Sequence, residues 1–158
     1  MTPLIYSSYQ AEVIPEWIDY NGHMNVAYYV LAFDHATDRL LEEIGVGNAY
    51  RQATGCSTFV LEAHVTYERE LRLGDAFAIA TRLIDADRKL LQLFHTMIRA
   101  DGDEVVATTE LLALHVNRNG PRAAPLPEAT WAKVEALLAA HRQIPLPPQL
   151  GHKIGIRR

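Results

Sequence analysis

A short polar segment carries the residues best suited to chemistry. It comprises residues 19–25, DYNGHMN, and leads directly into an apolar, helix-like stretch. Asp19 supplies a carboxylate that can act as a nucleophile or as a general base toward a bound carbonyl group. The free backbone N–H groups at the start of the following helix carry partial positive charge and can hold an oxyanion. The pairing of carboxylate and helix start points to attack on a carbonyl group.

Four other residues of this segment have predicted roles. Asn21-Gly22 predicts a turn, because both residues tolerate a positive φ. Asn25 is expected to cap the helix by accepting a backbone hydrogen bond. His23 is compatible with orienting Asp19 or a substrate, with capping the helix and with facing solvent. A turn that is merely capped by Asp19 and Asn21, without chemistry, is the alternative for the whole segment.

The elements that position this segment are predicted from hydrophobic periodicity. Apolar residues at three- and four-residue steps predict one long helix over about 25–44, ended by Gly45 and Gly47. The residues over 47–55 show no clear period and are expected to form a connector. Alternation at period two predicts strands. The predicted strands cover 9–14, 57–68, 76–84, 89–99 and 105–116, and a second amphipathic helix covers about 128–142.

This order of elements predicts an α+β fold. An antiparallel sheet needs its apolar face covered, and only the helix over 25–44 is long and apolar enough to do so. We therefore expect the later strands to form a meander, in a curved antiparallel sheet wrapped around one central helix. All of residues 1–158 are expected to form a single domain with its core over about 8–117. The exposed sheet edge favours pairing with a second copy of the chain.

Composition excludes several classes of function. The 158 residues carry a formal net charge of −4, which argues against nucleic-acid binding. The single cysteine excludes an internal disulfide, and the histidines show no metal-ligand spacing. No apolar run approaches the roughly 20 residues of a membrane span, and no signal peptide is recognisable, so we expect a cytoplasmic protein. Asp34 and Asp38, one helical turn apart, are expected on a solvated face.

The segment and its continuation resemble a known family. Residues 19–29, DYNGHMNVAYY, followed by FDHA at 33–36, are similar to the signature of hotdog-fold acyl-CoA thioesterases of the 4-hydroxybenzoyl-CoA type. The element order is similar as well, so the resemblance covers about residues 9–116. It implies a hotdog fold and hydrolysis of an acyl-CoA thioester. It also implies a homodimer or homotetramer, with coenzyme A as part of the substrate and no separate cofactor.

The resemblance implies roles residue by residue. Asp19 matches the catalytic carboxylate, and Gly22 matches the glycine that lets the loop turn. The backbone N–H of Val26 matches the group that polarises the thioester carbonyl. Asn25 is implied to orient the loop or the substrate, and His23 lies within the same motif.

A narrower resemblance concerns the substrate. Residues 15–25, PEWIDYNGHMN, and 151–158, GHKIGIRR, are similar to stretches of the betainyl-CoA thioesterases of bacterial carnitine degradation. This similarity implies hydrolysis of betainyl-CoA to glycine betaine and coenzyme A. The alternatives are a thioesterase for another short or aromatic acyl-CoA and a non-catalytic module that binds acyl-CoA.

A cationic acyl group would need suitable neighbours, and aromatic faces bind trimethylammonium groups. Five of the 13 aromatic residues fall between positions 17 and 33. Phe33 is expected in the core, and Tyr29 is equally compatible with the core and with the site. Glu62 is expected to add negative charge, although a structural pair with His64 on the same strand face is the alternative. The predicted substrate contacts are Trp17, Tyr20, Tyr28, Tyr29 and Glu62.

Overall fold

The computed structural model describes residues 6–158 and contains one antiparallel sheet and three α-helices. The strands are β1 (Tyr6–Glu12), β2 (Cys56–Tyr67), β3 (Ala76–Ala86), β4 (Leu90–Arg99), β5 (Val105–Asn117) and β6 (Arg122–Ala123). The helices are α1 (Val26–Ile44), α2 (Asn48–Thr54) and α3 (Glu128–His141), with a 3-10 turn at Pro15–Trp17. The predicted α+β architecture, an antiparallel sheet around one long helix, is confirmed.

The central helix α1 has the predicted bounds. Asn25 Oδ1 accepts a hydrogen bond from the Ala27 N–H at 2.9 Å, and Gly45 ends the helix with a φ of +89°. The sheet-facing side is buried from Tyr29 to Ile44. The three- and four-residue spacing also predicts that Val26 and Val30 belong to the buried apolar stripe of α1. This is wrong, since both are exposed, because no strand of the described chain beyond β2 covers the first turns of α1.

The strand order is β1-β3-β4-β5-β2, with β6 paired to β5. The predicted meander is therefore correct for β3, β4 and β5 and wrong for β2, which pairs with β5 and not with β3. The segment 68–75 makes the crossing between β2 and β3. Val106 O accepts hydrogen bonds from the Glu68 and Arg69 N–H groups, and Leu71 O accepts one from the Met24 N–H. The crossing segment thereby runs beside the start of α1.

Three smaller features also differ from the sequence prediction. The first strand begins earlier, at Tyr6, and ends at Glu12, two residues before the predicted end. The predicted connector over 47–55 contains α2, a helix too short to show a clear hydrophobic period. The two-residue strand β6 was not predicted, because such a short pairing leaves no pattern in the sequence.

Strand β2 lies at the edge of the sheet and has β5 as its neighbour on one side. A bulge at Leu61 interrupts its register. Apolar side chains stay exposed here on both β2 and α1, which is unusual for a sheet edge. We call this surface the open edge, and its residues are Val26, Val30, Leu31, Val60 and Leu61.

The interior divides into two clusters along α1. The first surrounds the N-terminal half of α1 and includes Phe33, Phe77 and Met97. The second surrounds the C-terminal half, where α3 covers α1 and β3 with Val134 and Leu138. The two halves of the same helix therefore have different neighbours: α3 covers one, and the open edge flanks the other.

The chain after α3 crosses the outer face of the sheet, on the side opposite α1. The Arg82 guanidinium donates hydrogen bonds to the carbonyl groups of His141, Ile144 and Pro145. Further along, the Gly151 N–H donates to Glu110 Oε1 at 2.7 Å. These contacts hold residues 142–151 against β3 and β5. Among the described helices, none combines the length and hydrophobicity that a membrane span requires.

Candidate active site

The polar segment forms a closed loop before α1. A bridge between Ile18 and Met24 joins its two ends, and the Asp19 N–H donates to His23 O at 3.2 Å. The Gly22 N–H returns to Asp19 O at 3.0 Å. Gly22 has a φ of +83°, a left-handed conformation that side chains disfavour. The glycine predicted for the turn is thus required by the backbone conformation.

The Asp19 carboxylate is half-buried and held by two donors. Its Oδ1 accepts a hydrogen bond from the Asn21 N–H at 2.8 Å, and its Oδ2 accepts one from Asn25 Nδ2 at 3.1 Å. Asn25 contributes with both ends of its amide, since its oxygen caps α1. The carboxylate is therefore fixed in place relative to the helix start by a single shared side chain.

The first backbone N–H of α1 is left without an acceptor among the described residues. The Ala27 N–H is taken by Asn25 Oδ1, and the Tyr28 N–H by Asn25 O at 3.0 Å. The Val26 N–H has no acceptor in the described part of the chain. An N–H group at a helix start is suited to a developing negative charge on oxygen. The structure thus places a fixed carboxylate and a free N–H at the two ends of one short loop.

His23 contacts the crossing segment. Its Nε2 lies 3.4 Å from Glu70 Oε2, and Glu70 is also hydrogen-bonded to Arg72. The hydrogen bond from Arg72 lowers the pKa of the Glu70 carboxyl. Glu70 is a neighbour that sequence reasoning missed, because it is 47 residues from His23 and no local pattern connects the two. The contact anchors the loop to the segment 68–75.

The predicted aromatic contacts are only partly brought together. Trp17 and Tyr28 stack, with ring centroids 5.8 Å apart and an angle of 17° between the rings. Tyr20, at the tip of the loop, is 97% exposed. Tyr29 is buried, and its hydroxyl accepts a hydrogen bond from the Leu71 N–H at 2.9 Å. Burial raises the pKa of Tyr29. Within one protomer Tyr29 is therefore a core residue that supports the crossing segment.

Tyr67 is a second residue that sequence reasoning missed. Its ring packs edge-on against Tyr29 at 5.3 Å, and its hydroxyl donates to Val26 O at 3.2 Å. The last residue of β2 thereby holds the first residue of α1. The alternation of β2 predicts the strand but gives no indication that its end reaches the start of α1, since that contact depends on the crossing of segment 68–75.

Glu62 is not brought to the Asp19 loop within one protomer. It lies on the outer face of the sheet, where it lines a cavity of about 660 Å³ with His64, Gln92, Glu110 and His152. The His64 and His152 rings stack with centroids 5.9 Å apart. The alternation at period two correctly predicts that Glu62 and His64 share one face of β2. It does not indicate that this face is the one directed away from α1. Within residues 6–158, no set of three or more His, Cys, Asp or Glu is placed to hold a metal ion.

A second cavity, of about 430 Å³, lies between α1 and β2 and reaches Ala27 next to the helix start. Most of its lining is apolar, with Val30, Leu31 and Val65 among the contributors, and Asp34 lies at its rim. It opens along the open edge. An apolar space beside a fixed carboxylate and a free N–H has the features expected of a site for an acyl group.

A buried histidine lies behind this cavity. His95 is fully buried, with Nε2 2.8 Å from Thr37 Oγ1 and Nδ1 2.8 Å from Thr81 Oγ1. Thr37 donates its own proton to Phe33 O, so it accepts from His95 Nε2–H. Burial lowers the pKa of His95 to about 3. The ring is therefore neutral at ordinary pH and acts as a structural link between α1, β3 and β4.

Comparison with known proteins identifies the family to which these features correspond. The family model of the thioesterase-like superfamily matches residues 13–134. The chain is 40% identical over 152 residues to the betainyl-CoA thioesterase of Pseudomonas aeruginosa, covering 96% of each protein.

Solved structures agree with this match. A hypothetical protein of Staphylococcus aureus, determined in complex with CoA, superposes with a TM-score of 0.91 at 32% identity, over 97% of this chain and 96% of the other. A 1,4-dihydroxy-2-naphthoyl-CoA thioesterase from Synechocystis has a TM-score of 0.72 at 13% identity, over 84% of this chain and 95% of the other. At that identity the second likeness concerns the fold alone, which is the predicted hotdog fold.

Proposed function

The chain belongs to the thioesterase-like superfamily, and on that premise we propose that this thioester hydrolase converts betainyl-CoA to glycine betaine and coenzyme A. The substrate is the finer part of the proposal and is supported by the 40% identity to the Pseudomonas enzyme over nearly the whole chain. The observation that carries the chemistry is the Asp19 carboxylate, fixed by Asn21 and Asn25 at the start of α1.

In the proposed reaction the thioester carbonyl oxygen accepts a hydrogen bond from the Val26 N–H. Asp19 then attacks the carbonyl carbon, or it takes a proton from a water molecule that attacks in its place. The negative charge that develops on the oxygen is stabilised by the N–H and the helix start. Collapse of the intermediate breaks the carbon–sulfur bond and releases the coenzyme A thiolate, which needs little acid assistance because thiols ionise at low pKa. If Asp19 attacks, water then hydrolyses the resulting mixed anhydride and regenerates the Asp19 carboxylate. If Asp19 acts as the base, the proton it takes from water passes to the coenzyme A thiolate. In either route water supplies the oxygen that is added overall.

The remaining loop residues have positioning roles in the proposal. Asn25 joins the carboxylate to the helix cap, and Gly22 allows the turn that brings Asp19 back toward the helix. His23 holds the loop on the crossing segment through Glu70. Tyr20, exposed at the loop tip, and the stacked pair of Trp17 and Tyr28 remain proposed contacts of the substrate on the loop side of the site. The proposal does not include Tyr29 or Glu62 among the residues that contact the substrate bound at the Asp19 loop of the same protomer.

The proposed active unit is a homodimer formed at the open edge. Strand β2 lacks a hydrogen-bonded neighbour on its outer side within the described chain, and apolar side chains surround it. Antiparallel pairing of β2 with β2 of a second copy would satisfy the free backbone groups and bury the apolar residues of both copies. The cavity between α1 and β2 would then lie at the interface, closed by the second copy.

The test is a coenzyme A release assay with a panel of acyl-CoAs. We expect betainyl-CoA to be hydrolysed with a higher kcat/KM than benzoyl-CoA and straight-chain acyl-CoAs. Asp19→Asn, which keeps the shape and removes the charge, should lower kcat by about 10²- to 10⁴-fold. Asp101→Asn, the same change in the exposed β4–β5 hairpin, serves as the matched control and should leave the rate unchanged. Full activity of Asp19→Asn, or no release from any member of the panel, would contradict the proposal.

A further inference from the structure

Asp34 is the charged side chain in the cavity between α1 and β2. The cavity extends from Ala27 to Thr37 along the helix, and among its described lining residues Asp34 alone carries a charge. No hydrogen-bond donor or cation within residues 6–158 pairs with its carboxylate. A lone carboxylate beside an apolar surface suits a cation with apolar substituents, because the charge is neutralised while the methyl groups lose contact with water.

The surroundings of Asp34 favour a positive ligand. Asp38 follows one turn later on the same helix, and its pKa is raised by burial and by the negative charge of Asp34. Two carboxylates one helical turn apart repel each other. A cation bound at Asp34 would relieve that repulsion. Asp38 itself lines a different cavity, with Tyr9 and His35, on the other flank of α1.

The distance along α1 decides which copy supplies the carboxylate. Asp34 is eight residues from Val26, which corresponds to about 12 Å at 1.5 Å per residue. In a betainyl group the quaternary nitrogen is two bonds from the carbonyl carbon, roughly 2.5 Å away with ordinary bond lengths. The N–H groups of a helix point toward its N-terminal end, so a carbonyl held at the Val26 N–H lies beyond the start of α1 and away from Asp34. Its cation, roughly 2.5 Å from the carbonyl carbon, therefore does not reach Asp34 of the same protomer.

The symmetry of the open edge brings a second Asp34 close. In a twofold dimer each residue of the interface meets the same patch of the other copy. Val30 and Leu31 are both exposed on α1. A twofold dimer in which these pairs meet would set α1 antiparallel to α1 of the second copy, with the axis between these residues. Asp34, which lines the cavity, would then lie opposite Ala27 of the other copy, next to its Val26 N–H.

From this arrangement we propose that Asp34 of each protomer binds the cationic end of the acyl group whose carbonyl is held at the start of α1 in the other protomer. The inference rests on the proposed hydrolysis of betainyl-CoA and adds the residue that selects the cation. The stacked Trp17 and Tyr28 lie on the other flank of α1, where they pack against the first core cluster. They supply no negative charge to this cavity.

The first experiment compares betainyl-CoA with 3,3-dimethylbutyryl-CoA, its neutral isostere with carbon in place of nitrogen. We expect Asp34→Asn to lower kcat/KM for betainyl-CoA by about 30-fold, mainly through KM, because a charge contact is made with the bound substrate and the transition state alike. The rate with the neutral isostere should change by less than about threefold, because no charge is recognised.

Two control variants accompany Asp34→Asn. Asp38→Asn makes the same change one turn away, outside the cavity, and should keep the preference for the cation. Tyr28→Leu tests the aromatic pair as the alternative source of cation binding. An unchanged preference in Asp34→Asn, or a preference lost in Tyr28→Leu and kept in Asp34→Asn, would overturn the inference.

The second experiment asks whether Asp34 acts across the dimer. Co-expressed Asp19→Asn and Asp34→Asn chains form mixed dimers in which one site has an intact Asp19 from one chain and an intact Asp34 from the other. Random pairing should then restore about one quarter of the wild-type sites for betainyl-CoA. If Asp34 acts within its own protomer, no mixed dimer contains an intact site and the activity stays at the mean of the two variants.

The outcomes separate this inference from the proposed function. A wild-type protein that does not release coenzyme A from betainyl-CoA contradicts both. A wild-type protein that hydrolyses betainyl-CoA, with Asp34→Asn retaining the same cation preference, contradicts the role of Asp34 alone. Sedimentation of each variant checks that the dimer is intact, so that a lost dimer is not read as a lost contact.

Discussion

The two halves of α1 are built from similar residues but have different surroundings. The C-terminal half, from Thr37 to Ile44, is covered by α3 and by the second core cluster, so its apolar residues are buried. The N-terminal half buries one side in the first cluster and leaves Val26, Val30 and Leu31 exposed. One helix thus stabilises the fold at one end and leaves an apolar surface uncovered at the other, beside the candidate site. The difference is the reason for proposing that the apolar residues near Asp19 form the surface between two copies.

The largest expected effect on stability lies in the covered half. Leu40 is buried, and Leu40→Ala should reduce the free energy of unfolding by about 2–5 kcal/mol, because it removes apolar contacts and leaves a cavity. Urea unfolding measures this value. Activity per folded molecule should stay near wild type, since Leu40 is more than three turns from Val26.

Leu31→Ala is the matched change in the open half. It should be measured in a protein that also carries Leu61→Asp, a change on the open edge intended to keep the protomers apart. In that protein Leu31→Ala should reduce the free energy of unfolding by less than about 1 kcal/mol, because Leu31 is exposed in the protomer. Equal costs for Leu31→Ala and Leu40→Ala would contradict the distinction between the two halves.

A charge on the open edge should separate the protomers. Leu61 is 55% exposed at the β2 bulge, and Leu61→Asp should weaken dimerisation by about 100-fold by placing a charge in the apolar contact. Activity should fall with the dimer fraction, because the cavity beside Asp19 is then left open. Sedimentation velocity and coenzyme A release, measured over a concentration series, report the two effects together.

Leu73→Asp is the control for this change. Leu73 is 58% exposed in the crossing segment, away from the open edge. The Leu73→Asp change should therefore alter neither dimerisation nor activity. A dimer that persists in Leu61→Asp, with full activity, would show that the open edge is not the partner surface.

The junction between the two halves is expected to be sensitive to acid. His95 has a pKa of about 3 in the folded protein and about 6.5 when unfolded, so the unfolded chain binds one more proton between these values. The folded state is therefore unaffected above pH 6.5 and is destabilised as the pH falls toward 3. Between pH 7 and pH 5 the loss should be about 2 kcal/mol.

This contribution can be isolated by urea unfolding at several pH values. His95→Asn has no ionisable ring, so the loss of unfolding free energy between pH 7 and pH 5 should be about 2 kcal/mol smaller in this variant than in the wild-type protein. A change in stability that is the same at all pH values does not affect this comparison. In the wild-type protein the NMR signals of the His95 ring should stay those of the neutral form at pH 5. A ring that titrates near pH 6.5 in the folded protein would contradict the assignment.

The smallest expected effect on stability concerns the cap that links the loop to the open half. Asn25→Ala removes the acceptor for the Ala27 N–H and the donor to Asp19, so it should cost about 1 kcal/mol of stability. The kcat should fall as well, by about 10-fold, because the carboxylate loses one of its two donors.

Asn25→Asp separates the two roles of this side chain. Aspartate caps helices as well as asparagine does, so the helix cap should be retained, while repulsion from the Asp19 carboxylate lowers stability at neutral pH. The donor to Asp19 is lost and a second negative charge takes its place, so kcat should fall further than in Asn25→Ala. Thermal unfolding of the wild type, Asn25→Ala and Asn25→Asp gives their relative stabilities, and steady-state kinetics gives their kcat values. A fully active Asn25→Asp would show that the contact with Asp19 is dispensable.

The local elements were largely predictable because each has its own pattern. The helix over 25–44, its cap at Asn25 and its end at Gly45 follow from periodicity and turn chemistry within a few residues. The turn at Gly22 was predictable for the same reason. The short helix α2 and the strand β6 were not, since neither is long enough for a period to appear.

The contacts of the candidate site were less predictable because they join distant parts of the chain. Glu70 beside His23 and Tyr67 on Val26 depend on the crossing of segment 68–75, which local alternation does not record. Glu62 lies on the outer face for a similar reason: alternation gives two faces but does not say which one meets α1.

The sequence by itself determined the long helices and strands, the loop that carries Asp19, and the resemblance to a thioesterase family, because these depend on neighbouring residues and on a contiguous motif. Only the tertiary structure decided that β2 is an edge strand, that the first turns of α1 are uncovered, and that Asp34 lies in an apolar cavity. These features depend on which strands pair across the sheet. The pairing is set by packing between residues far apart in the chain, and the exposed edge it leaves is the surface on which a second copy is proposed to complete the site.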